Sequence, residues 1–150
     1  MLRLVIAAVV IAACSDATNR PNDDVARSEY PVCEASSVTV QDNGFPEVAG
    51  EGDGAEMWAL LWEEPPWPVN HDVKVVWRMA GSGEFTVQAL GPRGESVAPT
   101  QGPTPHAGSN WDRPGEEWGT FFSLPDDGCW VLEASRGDDV STIGVVVGDA

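Results

Sequence analysis

Apolar and polar residues alternate at every second position through the centre of the chain, which is the period of a half-buried β-strand. "VKVVWRM" (73–79) is the clearest case: Val73, Val75, Trp77 and Met79 share one face, and Lys74, Val76 and Arg78 the other. "EFTVQAL" (84–90) repeats the pattern with Phe85, Val87 and Ala89 inward. The "AGSG" between them (80–83) is a turn signal, so the two segments are expected to pair as a β-hairpin. Further strands are predicted over "ASSVTVQ" (35–41), "EWGTFFSLP" (117–125), "DDGCWVLEAS" (126–135) and "VSTIGVVV" (140–147), the last two joined by "RGDD" (136–139). In "AEMWALLW" (55–62) the four-residue spacing of Trp58 and Trp62 also suits a helical turn, but the run stops at Glu63-Glu64-Pro65-Pro66. That favours a strand or a single turn over a full helix.

Between these runs the chain is rich in turn formers. Residues 42–54 read as an acidic, glycine-rich loop, and "PPWPVNHD" (65–72) as another. Residues 91–116 are long and proline-rich, and a loop of that length is expected to hide a short strand near Ser96–Ala98. About seven strands and no convincing long helix predict an all-β, Ig-like antiparallel sandwich over residues 33–150.

The N-terminus follows a different pattern. Arg3 precedes ten apolar residues, Leu4–Ala13, and then Cys14. A spanning helix needs about 20 residues, so this run fits a signal peptide instead. Ile11-Ala12-Ala13-Cys14 is similar to a bacterial lipobox, which implies cleavage before Cys14 and a diacylglycerol on its thiol. An ordinary signal peptide with Cys14 incidental is the competing reading. Each buried CH₂ of an acyl chain contributes about 0.8 kcal/mol, so two or three chains hold a protein firmly on a membrane. Residues 14–32 are polar and aperiodic, as expected of a flexible tether. The expected location is therefore the extracytoplasmic side of a cell membrane or outer membrane, with residues 1–13 removed.

With Cys14 lipidated, Cys33 and Cys129 remain. Two thiols in an oxidising compartment read as one disulfide closing a loop of roughly 100 residues. The charge then narrows the partners. Twenty-four acidic against eight basic residues give −16. Such a surface repels nucleic acid and anionic headgroups, so nucleic-acid binding is excluded.

The order "MWALLW", "KVVWRMAGSGEFTVQAL", a proline-rich stretch, then "WGTFFSLPDDGCWVLEASRGDDVSTIGVVV" resembles a family of small uncharacterised bacterial lipoproteins. The shared features are a Lys-x-x-Trp strand, here Lys74 and Trp77, and a Pro-x-x-Gly-Cys-Trp motif, here Pro125, Gly128, Cys129 and Trp130. The resemblance covers roughly residues 33–147. It implies an Ig-like extracytoplasmic domain and no established activity. The motif itself reads as structural: Gly128 for a positive-φ turn, Cys129 as a staple to Cys33, Trp130 as core.

Candidate chemistry is thin. His71-Asp72 offers a base with an orienting carboxylate, or half a metal site, but a turn residue and cap explain it as well. His106 in "PTPHAG" has no better claim. Acidic loops at Asp42, Asn43, Glu51, Asp53, Glu56, Asp126, Asp127, Asp138 and Asp139 could supply oxygen ligands to calcium, yet none has EF-hand spacing. No cofactor, catalysis or metal is therefore expected. Of the seven tryptophans, Trp67 and Trp111 lie in Pro/Gly loops, where exposed, coplanar rings would form a platform for glycan. The expected role is a non-catalytic envelope module that binds a protein or is structural. A glycan-binding module is the alternative, and an envelope hydrolase a more distant third.

Overall fold

Alternation carries through to the tertiary structure, though not always to the expected partner. The computed structural model describes residues 33–42 and 44–149; the leader, Cys14 and the tether to residue 32 lie outside them. Among the described residues there are ten strands and no helix. They are β1 (Thr39–Val40), β2 (Pro46–Ala49), β3 (Met57–Leu61), β4 (Asp72–Met79), β5 (Phe85–Leu90), β6 (Ser96–Val97), β7 (Gln101–His106), β8 (Glu116–Ser123), β9 (Gly128–Arg136) and β10 (Asp139–Val147). They form two antiparallel sheets, ordered β1-β2-β3-β4-β8-β7 and β10-β9-β5-β6. One apolar cluster draws on both, as in a two-layer sandwich.

The predicted 73–90 hairpin does not form. β4 pairs with β3 and β8, whereas β5 pairs with β6 and β9 in the other sheet. The turn at 80–84 carries the chain across the core. The reason lies in the side chains: both strands present large apolar rows, and those rows face each other instead of lying side by side. Phe85 sits 6.4 Å from Trp77 and stacks on Trp118 at 4.3 Å, centroid to centroid. The final hairpin forms as expected, in nine-residue register between β9 and β10.

Two stretches read as loops contain strands. Residues 42–54 include β2, and 91–116 include both the expected β6 and β7. β7 carries Pro103 and Pro105, which donate no backbone N–H. It lies at a sheet edge, where only one side needs pairing, and its register shifts between Gln101 and Thr104.

Trp77 and Trp130 are fully buried, and each indole N–H has an acceptor: Thr120 Oγ1 at 2.8 Å and the Asp126 carbonyl at 2.9 Å. Pairing of these donors removes the penalty of burying them. The Gly-Cys-Trp block has the structural form read from the sequence. Gly128 adopts φ 127°, Trp130 enters the core, and Cys129 is bonded to Cys33 across 96 residues. A closed loop of about that length is valued at ~4.7 kcal/mol by the chain-entropy model. The bond also ties down the 33–38 segment, whose Ser36 exchanges hydrogen bonds with Gly144 along the free edge of β10.

Candidate functional site

Burying Val75 and Trp77 on one face of β4 sends Lys74, Val76 and Arg78 to the other. Neighbouring strands extend that outward face into rows. One row runs Glu47–Leu60–Val76–Gly119–Thr104, and the next Ala49–Trp58–Arg78–Glu117–His106. Beyond them Lys74 lies opposite Phe121, beside Trp62 at the end of β3. The outer face of a sandwich is normally polar, yet here Leu60, Val76 and Phe121 make an apolar floor. Gly119 leaves a gap in the middle of it. A Cβ there would meet nothing nearer than Lys74 Cε at 4.0 Å. Glycine inside a strand marks a bulge, a bend or a close approach, and the register of β7 shifts opposite this one, between Gln101 and Thr104.

The segment 107–115 folds back as a wall, and buried charge fixes it. Glu47 is 1% exposed. It accepts from the Trp111 indole N–H at 2.6 Å, from Gln41 Nε2 at 3.0 Å, and from the Arg113 guanidinium. The hydrogen bond to Glu47 raises the Arg113 pKa, keeping the guanidinium charged. Arg113 also lies over the Trp58 ring at 3.8 Å. Arg78 completes the clamp by donating to the Arg113 carbonyl at 2.6 Å and to Glu117 Oε2 at 3.0 Å. Trp111 is thus held rigidly, 64 residues in sequence from the carboxylate that positions it.

Between wall and floor lies a cleft of about 330 Å³. Phe45, Trp62, Phe121 and Trp111 supply its aromatic lining, with Lys74, His106 and Glu117 as its ionisable groups. Trp62 is 45% exposed and packs against Phe45 at 4.9 Å, while Lys74 Nζ sits over its ring at 4.1 Å. Such a cation–π contact leaves the ammonium's hydrogen-bonding capacity largely unused.

The residues singled out from sequence are dispersed. Trp67 is 2% exposed, so it is no platform for a sugar. Its backbone bridges to β10, which draws the loop inward, and its indole N–H donates to the Glu63 carbonyl at 2.9 Å. Trp111 is half-buried and lines the cleft. His71 makes an exposed contact with Glu63 at 2.9 Å, away from the cleft. His106 does line it, its Nδ1 2.6 Å from Glu117 Oε1. No hydroxyl is hydrogen-bonded to His106 among the described residues, and Glu117 also accepts from Arg78. The acidic loops bring no group of three His, Cys, Asp or Glu into a metal-holding arrangement among the described residues. Sequence reasoning missed Trp62, Lys74, Phe121, Gly119 and Glu47. The available signal was Val76 and Phe121 on the polar phase of their strands, and a glycine inside one.

No family model and no curated protein matches the chain. Among solved structures, it is similar to a Bacillus anthracis chain described provisionally as a lipoprotein. The two are 16% identical, with a TM-score of 0.47, over 89% of this chain and 100% of that one. The sandwich assignment therefore rests on the strand register itself.

Proposed function

We propose that the chain is an exported lipoprotein of the Ig-like kind, anchored through Cys14 to a cell or outer membrane. It works there as a non-catalytic binding module whose occupant seats in the outward cleft. The observation that carries this reading is the clamp on Trp111. A buried carboxylate, two arginines and a stacked indole hold a wall over an apolar floor that no part of the described chain fills. Preorganisation of that cost is what a binding site needs. The Cys33–Cys129 bond supports an oxidising compartment. The glycan alternative is weakened, because Trp67 is buried and Lys74 lies over the Trp62 ring.

Two measurements test the proposal. Intact mass of protein from native membranes, before and after reduction and alkylation, is expected to show a start at Cys14 with added acyl mass and two newly alkylated thiols. A retained Met1 with three free thiols would overturn the export reading. Nile red, a neutral apolar dye, is expected to bind the native chain and to be excluded by Gly119→Val, which fills the gap in the floor. Equal dye binding by both would remove the cleft as the site.

A further inference from the structure

We infer that the cleft takes a small organic monoanion, its flat apolar body against Phe121 and Trp111 and its carboxylate on the Lys74 ammonium, which lies over Trp62. The inference rests on the cleft being the binding site. Its independent support is a census of positive charge. The described residues hold four arginines and one lysine. Each arginine has a carboxylate partner: Arg78 with Glu117, Arg93 with Asp126, Arg113 with Glu47, Arg136 with Glu116. Lys74 alone has none among the described residues, in a chain with 24 acidic side chains. Its contact is the Trp62 ring, at 4.1 Å, inside the cleft.

An ammonium carries three donors, and an aromatic face satisfies its charge but gives no lone pair. A carboxylate seated on it would supply both. The carboxylate already in the cleft, Glu117, is engaged by Arg78 and His106. The net charge of −16 repels anions at a distance, so an anion is held here only by contact. This favours an occupant whose apolar body does much of the binding and whose charge selects.

Size and edge chemistry argue for a small molecule. About 330 Å³ is at the lower end of ligand sites. An extended peptide laid along β7 would need backbone donors that Pro103 and Pro105 lack. The floor has room where Gly119 has no side chain, directly beside Lys74.

The test is calorimetric titration of the full chain in detergent, with protein-free micelles as blank, using naphthoate and its neutral isostere naphthamide. The native chain is expected to bind naphthoate about tenfold more tightly, the scale of one charge-assisted hydrogen bond. Lys74→Met keeps the aliphatic stem on Trp62 and is expected to bring the two affinities together by weakening naphthoate alone. Lys74→Arg is expected to keep the preference. Equal affinities in the native chain would overturn the charge inference and leave the cleft reading standing. Binding of Nile red but of neither naphthoate nor naphthamide would do the same. Failure of all three ligands would overturn the cleft reading itself. A preference that survives Lys74→Met would put the carboxylate elsewhere and overturn the assignment to this residue.

Discussion

The two faces of the six-stranded sheet use the same residue type in opposite ways. On the inner face Trp77 is sealed among apolar neighbours, and its one polar atom is matched by Thr120. On the outer face Trp58, Trp62 and Trp111 each have a cation over the ring: Arg113, Lys74 and Arg78 at 3.8, 4.1 and 5.9 Å. The inner ring holds the sheets together. The outer rings are held by charge, and they line or flank space that is left open. A cation over a ring does not by itself mark the outer face, since Arg136 lies over the core ring of Trp118 at 4.9 Å; Trp118 also stacks on Phe85 inside the core, whereas Trp62 and Trp111 border open space.

Truncation gives the largest contrast between the faces. Trp77→Ala is expected to cost about 3–5 kcal/mol, because it removes a fully buried ring and takes from the Thr120 hydroxyl the indole N–H it accepts from. Trp62→Ala, nearly half exposed, is expected to cost about 1 kcal/mol or less while abolishing Nile red binding. Urea denaturation of both variants checks the pair. Comparable losses would show that Trp62 is as structural as Trp77, and the distinction between faces would fail.

The same division explains what could be read in advance. β4, β5, β8, β9 and β10 were legible because alternation is local: Val73, Val75, Trp77 and Met79 declare one face within seven residues. The Gly128-Cys129-Trp130 turn was legible because its chemistry is local too. The partner of β4 was not, since alternation says which face is buried but not which strand lies beside it. β2 and β7 were hidden by Pro46, Pro103 and Pro105, which deny a strand on propensity and are tolerated by position. The cleft was the least legible part. Its wall depends on Glu47 meeting Arg113 across 66 residues, and nothing local to either residue announces the other. Trp111 was singled out as a loop tryptophan, but Trp67, chosen by the same rule, went to the core.

That long-range clamp offers a second, smaller test. Arg113→Met keeps the aliphatic stem over Trp58 and removes the guanidinium from Glu47. Glu47 would keep the bonds from Trp111 and Gln41 but lose its charged partner in a buried place. A loss of about 2 kcal/mol is expected, as for hydrogen bonds to a charged group. Amide exchange is expected to speed up across 107–115 and to stay unchanged in β4 and β9. Uniform acceleration over the whole sandwich would show that the clamp supports the core and not only the wall.

Gly119→Val sharpens the comparison most, although its effect on stability is the smallest, because the sign is reversed. Glycine inside a strand costs backbone entropy and contributes no side chain, roughly 0.5–1 kcal/mol against alanine in the general case. Nothing on the backbone requires it here. Gly119 does not adopt a left-handed φ, and a Cβ would enter open space, with Lys74 Cε its nearest neighbour at 4.0 Å. Valine suits a strand and would lie against Val76 and Phe121. Thermal unfolding is therefore expected to show Gly119→Val as stable as the native chain or more so, by up to about 1 kcal/mol, with the cleft closed to Nile red. A residue that the fold would rather not have, in the middle of the floor, is then accounted for by what the floor receives. Destabilisation by the valine would instead mean that the glycine serves the sheet, through a close approach of β7 at its Gly102–Pro103 bulge, and the strongest sequence-local mark of the site would lose its meaning.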